Sequence, residues 1–139
     1  MESLHYLLMK SHSIIQRKIY SDAQKIGLTS GQPKILDYLY EHEGSDQKTI
    51  AGYCEIEPAT LGSILLRMEQ KGLIERRQKN GNRRSLFVYL TDDGKGVCEK
   101  MHDIFSRRDE QAIEGLTIEE IETLKKTLTK ICENLDGKD

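Results

Sequence analysis

No stretch of this 139-residue chain is apolar over anything near the roughly 20 residues that a membrane-spanning helix needs, which sets membrane proteins aside. The opening residues, MESLHYLLMKSHSIIQRK, also lack the form of a signal peptide: Glu2 stands where a basic start is required, and polar residues interrupt every apolar cluster. The expected compartment is the cytoplasm. Cysteine is scarce. Cys54, Cys98 and Cys132 are odd in number, lie far apart and form no CxxC, which argues against a disulfide framework or a zinc ribbon and leaves buried thiols, in effect small hydrophobes, as the expectation. His5, His12, His42 and His102 show no ligand spacing, so no metal and no other cofactor is expected. No Ser-His-Asp, Cys-His or paired-carboxylate arrangement and no phosphate loop can be assembled from local motifs, and the chain does not read as an enzyme. Internal repeats and low-complexity segments are absent, and the two prolines, Pro33 and Pro58, both lie near helix starts. What is present fits one domain, with 37% hydrophobic and 32% charged residues, long enough for a real core and too short for two.

The formal net charge of −2 conceals an uneven distribution. From Pro58 to Leu90 seven cations (Arg67, Lys71, Arg76, Arg77, Lys79, Arg83, Arg84) face two acids (Glu69, Glu75), a local +5, which leaves 14 cations and 21 acids elsewhere. Five of the seven crowd into ERRQKNGNRR, residues 75–84. A basic stripe on an acidic body suits a strongly negative partner at that stripe, nucleic acid first, unless the stripe is a solvated hairpin without a partner.

Periodicity divides the chain into helices and one hairpin. Leu4, Leu7, Leu8, Ile14, Ile15 and Ile19 predict a first helix from about Ser3 to Lys25, ended at Gly27. TSGQ offers a capping box, Thr29 with Gln32, before Ile35, Leu36 and Leu39, and Gly44 ends that second helix. Ser45 and Asp46 can cap a short third helix carrying Ile50, Ala51 and Cys54. A turn then leads to Pro58 in the first turn of a fourth, whose buried stripe is Leu61, Ile64, Leu65 and Met68. LIERRQ and SLFVYL flank Asn80-Gly81, a strong hairpin signal, with Leu86, Val88 and Leu90 on one face of the second strand. A two-residue loop there pairs Arg77 with Arg84, like charges that destabilise a strand pair by ~0.2–1 kcal/mol unless phosphates relieve them. Thr91 caps a helix bearing Val97, Cys98, Met101, Ile104 and Phe105. TIEE, with Thr117 and Glu120, caps the last, whose Ile121, Leu124, Leu128, Ile131 and Leu135 form a narrow seam suited to helix packing.

Two short helices joined by a tight turn and followed by a hairpin is the order of a winged helix-turn-helix, in which the second helix enters the major groove. With its apolar stripe inward, the fourth helix presents Pro58 at its first turn and Ala59, Thr60, Gly62, Ser63 and Arg67 outward. Small residues let the backbone approach, the Thr60 and Ser63 hydroxyls suit base edges or phosphates, and Arg67 can reach base or backbone. The wing cations Arg76, Arg77, Lys79, Arg83 and Arg84 suit phosphates, with Arg83 or Arg84 at the tip able to enter a minor groove.

Taken together, LTSGQPKILDYL, KTIAGYCEIEPATLGSILLRMEQKGLIERR and NRRSLFVYLTDDGK, in that order and over nearly the whole length, resemble the MarR (multiple antibiotic resistance regulator) family of bacterial transcription regulators. The resemblance implies a mainly α fold with a small β-hairpin wing, a winged helix-turn-helix lobe over residues 28–91, and dimerisation helices in 1–27 and 92–139. It implies a homodimer on a double-stranded, pseudo-palindromic DNA operator, acting as a repressor released by a small anionic or phenolic ligand. Tyr6, His12, Arg17, Tyr38, Tyr40 and His42, on the first two helices, are the candidates for lining the ligand's crevice, interface packing being their other use. The family's wing commonly carries Asp-x-Arg; here Asn82 stands for the acid before Arg84, so Arg84 is the minor-groove candidate and Asn82 orients it without charge. The family's peroxide-responsive branch uses a cysteine in the first helix, where this chain has none. A different class of reading is a winged-helix module whose wing docks an acidic protein.

Overall fold

The computed structural model describes residues 1–79 and 81–137; the side chains of Lys79, Asn82, Arg83 and Arg84 also lie outside what is described. Local chemistry sets most boundaries. Helix α1 runs Leu4–Gln24, its start closed by Ser3 Oγ, which accepts from the Tyr6 N–H at 3.2 Å. Gly27, at φ 82°, turns the chain out of it. Helix α2 (Gln32–His42) begins later than TSGQ suggests. Only half of the expected box forms: Gln32 Oε1 accepts from the Thr29 N–H at 3.0 Å, while Gly31, not Thr29, is the capping residue. The reason is tertiary. Gly31 sits at φ 84° against Ile64, whose Cδ1 would be 2.6 Å from any Cβ placed there.

Strand β1 (Ser45–Asp46) escapes sequence reading because two residues carry no periodicity. Asp46 also caps helix α3 (Gln47–Cys54), accepting from the Thr49 N–H at 2.7 Å. Helix α4 (Pro58–Gln70) follows, with Pro58 in its first turn. Strands β2 (Ile74–Lys79) and β3 (Asn82–Leu90) form the hairpin, and the antiparallel sheet has the order β1-β3-β2. Helix α5 (Asp92–Ala112) is opened by Thr91 Oγ1, which accepts from the Gly94 N–H at 3.0 Å. Helix α6 (Ile118–Leu135) has both halves of the Thr117–Glu120 capping box.

The hairpin register departs from expectation. Lys79 pairs with Asn82 as a two-residue loop requires, but between Arg77 and Lys79 the register shifts, and Arg77 faces Phe87 rather than Arg84. Over that interval β2 advances two residues and β3 five, from Phe87 to Asn82. The expected repulsion between Arg77 and Arg84 is therefore not incurred as a cross-strand pair. Asn80, half of the predicted turn, lies outside the described residues.

Packing divides the chain into two compact units, Met1–Arg108 and Asp109–Asp139. The first holds the core, in which Ile35, Leu36, Leu39, Ile50, Leu65, Met68 and Val88 are fully buried, as the inward faces of α2, α3, α4 and β3 predict. Cys54 and Cys98 are buried too, their thiols donating to the Lys34 and Leu36 carbonyls at 3.5 and 3.2 Å. In the same unit Arg108 of α5 holds Asp22 of α1 through two bonds of 2.8 and 3.0 Å. The second unit contains α6, no residue of which is buried; Leu124, Leu128 and Leu135 of its apolar seam are exposed. Cys132 is exposed there as well, contrary to the expectation of three buried thiols.

Candidate nucleic-acid interface

The helix-turn-helix is α3, a three-residue turn and α4. Its turn is set by Glu55, in the left-handed region at φ 55°, and by the Ile56 N–H, which donates to the Ala51 carbonyl at 3.0 Å. Leu61, Leu65 and Met68 anchor α4 in the core, which directs Pro58, Ala59, Thr60, Ser63 and Arg67 to solvent and leaves Gly62 half-buried. No side chain caps the start of α4, so first-turn N–H groups stay open to an anion. Ser63 Oγ turns back to the Ala59 carbonyl at 3.4 Å and keeps its lone pairs for an outside donor. Arg67 is exposed and takes part in none of the ion pairs among the described residues.

The wing cations divide by environment. Arg77 is exposed; it bonds Glu75 at 2.7 and 3.2 Å and lies over the Tyr89 ring, 4.4 Å from its centroid. Tyr89 is the diagonal neighbour that the observed register supplies. An exposed pair of this kind contributes little and exchanges readily for a phosphate. Arg76 is different. Its side chain is only 18% exposed; Nη2 and Nε donate to the two Glu69 oxygens at 3.0 and 3.2 Å, and Nη1 donates to Gln47 Oε1 at 3.3 Å. The guanidinium holds the Glu69 carboxyl below its usual range. In the sequence Arg76 counts as one more wing cation suited to phosphates, and its link to Glu69 and Gln47 is invisible there, because the three come from β2, α4 and α3 and no local spacing joins them.

Of the six crevice candidates, Tyr38 and His42 come together, their rings stacked with centroids 4.7 Å apart. Tyr38 is buried, its ring against His42 and Tyr53 and its hydroxyl accepting from Ser45 Oγ at 3.2 Å. Tyr40 stacks on His102 at 4.0 Å, Lys10 Nζ lies 5.6 Å from the Tyr6 ring centroid, and His12 and Arg17 are exposed. A cleft of about 450 Å³ lies elsewhere in this unit, and none of the six lines it. Its walls are Gln16, Ile19 and Tyr20 of α1, residues 30, 31, 33 and 34 at the start of α2, Glu55 to Glu57 of the turn, Thr60 and Ile64 of α4, and Phe105 of α5. The recognition helix thus forms one wall. Gly31 and Pro33, which mark the start of α2 in the sequence, both line this cleft.

A helix anchored by its apolar stripe, its outward face small, hydroxylic and basic, beside a basic hairpin, defines a winged helix-turn-helix DNA-binding protein. The MarR family model matches residues 28–86. The chain is 32% identical over 138 residues, 97% of its length, to the organic hydroperoxide resistance transcriptional regulator of Bacillus subtilis (strain 168), covering 90% of that protein. It is similar to the S. aureus regulator MepR in its DNA-binding conformation (30% identity, TM-score 0.86, 97% of this chain and all of that one). The MepR–DNA complex gives 26% identity and a TM-score of 0.87 over the same shares. The chain belongs to the MarR family and is a DNA-binding transcription regulator.

Proposed function

We propose that this regulator is a homodimeric repressor that binds a pseudo-palindromic operator and leaves it when a small amphipathic molecule occupies the α1–α4 cleft. The observation carrying the DNA half is the outward face of α4, where exposed Thr60, Ser63 and Arg67 stand on a helix whose opposite face is fully anchored. In this reading α4 enters the major groove, Arg77 exchanges Glu75 for a phosphate, and Lys79, Arg83 and Arg84, with Asn82 orienting Arg84, serve the backbone or minor groove. Residues 28–91 form the DNA-binding lobe, and 1–27 with 92–139 form the dimer. Supporting the dimer are the exposed Leu4 and Leu7 of α1 and the exposed α6 seam, which a single chain leaves in water.

The ligand half rests on the cleft. Thr60 and Ile64 belong both to its wall and to the recognition helix, so an occupant differing in affinity between DNA-bound and free forms would shift the helix directly. Lys34 offers a cation to an anionic or phenolic group, beside Glu55 and Glu57 of opposite sign, over apolar Ile19, Ile64 and Phe105. A DNA target places the protein in the cytoplasm, and no catalytic role is assigned.

The test is fluorescence anisotropy with a duplex selected by the protein from random DNA. The expected site is a pseudo-palindrome of about 15–20 bp with half-sites roughly one helical turn apart. If a dimer contacts 6–10 phosphates, affinity falls by about 10³–10⁵ between 50 and 200 mM salt. A flat salt response would remove the electrostatic reading.

A further inference from the structure

We infer that Arg76 is not a DNA contact but a positioning residue: with Glu69 and Gln47 it locks the wing to the recognition helix, so that both meet DNA as one preorganised surface. The inference rests on the DNA-binding reading above and goes beyond it. Three observations carry it. The Arg76 guanidinium spends all three of its nitrogens internally, on Glu69 at 3.0 and 3.2 Å and on Gln47 at 3.3 Å. Its side chain is largely shielded, in contrast with the exposed Arg77 next to it. The three residues also come from three elements with different tasks. Glu69 lies in the last turn of α4, beyond the outward face; Gln47 opens α3, the first helix of the helix-turn-helix; and Arg76 is the third residue of β2, the strand that carries the wing.

The geometry explains why an acid stands inside a basic stripe. Glu69 subtracts a charge from the basic stripe, which would weaken DNA affinity if its only effect were electrostatic. A bidentate Arg–carboxylate pair fixes distance and orientation together. One further bond to Gln47 makes the connection three-sided. Without it, β2 is joined to α4 by Lys71 to Leu73 and by core side chains such as Ile74, and the hairpin is tied to the start of α3 by the pairing of Ser45 with Val88 and Asp46 with Phe87; the Arg76–Glu69 pair adds a direct side-chain link between the wing strand and the end of α4. Without that link, binding would have to order the wing, at an entropic cost that the free protein has otherwise met before DNA arrives. Arg76 acts through Glu69, and neither has to touch the nucleic acid.

The two roles for Arg76 predict opposite responses to a change at Glu69. Full-length wild type, Glu69→Gln, Arg76→Ala, the double variant Glu69→Gln with Arg76→Ala, and the swapped pair Glu69→Arg with Arg76→Glu are titrated by anisotropy against one fluorescein-labelled duplex, selected by the wild type, from 50 to 200 mM salt. As a positioning residue, Arg76 requires that Glu69→Gln weaken binding by roughly tenfold although it removes a negative charge. The loss on Arg76→Ala should be similar and non-additive with it, and the swapped pair should recover a substantial part. The salt slope should stay at the wild-type value in all of them. As a phosphate contact, Arg76 would instead lower the slope by about 0.9 when removed, Glu69→Gln would leave binding equal or tighter, and the swap would recover nothing; any of these overturns the inference. Glu69→Gln is nearly isosteric and separates the outcomes even where Arg76→Ala fails to fold. Failure of the wild type to select any duplex would overturn the DNA-binding reading and the inference with it, whereas wild-type binding with an unaffected Glu69→Gln would overturn the inference alone.

Discussion

Replacing Gly94 by alanine should destabilise this protein even though alanine is the better helix former. Gly94 lies in the first turn of α5, and a Cβ there would stand 1.8 Å from the Leu73 carbonyl oxygen and 2.8 Å from its carbon. Contacts below 3.0 Å do not occur, so backbone must part by about 1.2 Å. The neighbour is not a flexible side chain. Leu73 O accepts the Thr91 N–H at 3.1 Å, and Thr91 Oγ1 in turn donates to the Gly72 carbonyl at 2.6 Å while capping α5. Overpacking costs ~1–3 kcal/mol, a disturbed hydrogen bond adds ~0.5–1.5, and alanine returns at most ~1 in propensity. The balance is a loss of roughly 1–3 kcal/mol, or a melting temperature about 4–12 °C lower for a chain of this size. Gly96, two residues on in the same helix, meets nothing within 4 Å. Gly96→Ala should therefore raise the melting temperature by a few degrees, for the ~0.5–1 kcal/mol that glycine costs inside a helix. The assay is thermal and urea denaturation of wild type and both variants at one protein concentration, which keeps association equilibria comparable. A Gly94→Ala protein melting at or above the wild type would refute the close approach of α5 to Leu73.

Arg67→Ala should weaken operator binding by tenfold or more in anisotropy; a slope reduced by about 0.9 marks a phosphate contact, and an unchanged slope with relaxed base preference marks a base contact. Asp22 is held below its usual range by the hydrogen bond from Arg108. The stability it contributes is therefore present above the unfolded value, ~3.9, and lost as pH falls through the lower folded value. Urea midpoints of wild type and Asp22→Asn should differ by a constant amount above about pH 5 and converge at lower pH. Burial pushes the Cys54 and Cys98 thiols up to about 11, so at pH 8 native protein should give no more than one prompt thiol equivalent with a disulfide reagent, from Cys132. Three equivalents before unfolding would contradict the burial. Within the cleft, Ile64→Trp should occupy the space beside Gly31 and abolish any ligand-induced change in DNA affinity, read by anisotropy with and without ligand.

Elements defined by neighbours in the chain were legible in the sequence. Asp46, Thr91 and Thr117 each cap the helix that their position predicts, and Ser3 caps α1 close to its predicted start, because a cap needs only a side chain and an N–H two or three residues on. The outward face of α4 follows as directly from the inward spacing of Leu61, Leu65 and Met68. Where two distant segments had to meet, sequence was silent or misleading. Thr29 lost its capping role to Gly31 because Ile64 packs there, Arg77 moved opposite Phe87 because β3 carries extra residues near the tip, and β1 exists only because β3 lies beside it.

What the sequence by itself determined is the set of helices, their polar and apolar faces, and a basic stripe confined to α4 and the hairpin, since all of these follow from periodicity and charge along the chain. Tertiary structure alone decided what each cation in that stripe does. Arg76 and Arg77 are adjacent and chemically identical, yet opposite sides of one strand give the first a carboxylate from α4 and an amide from α3, and the second an exposed acid, an aromatic ring and water. An arginine's role depends on which acceptors lie within about 3 Å of its nitrogens, and folding supplies those.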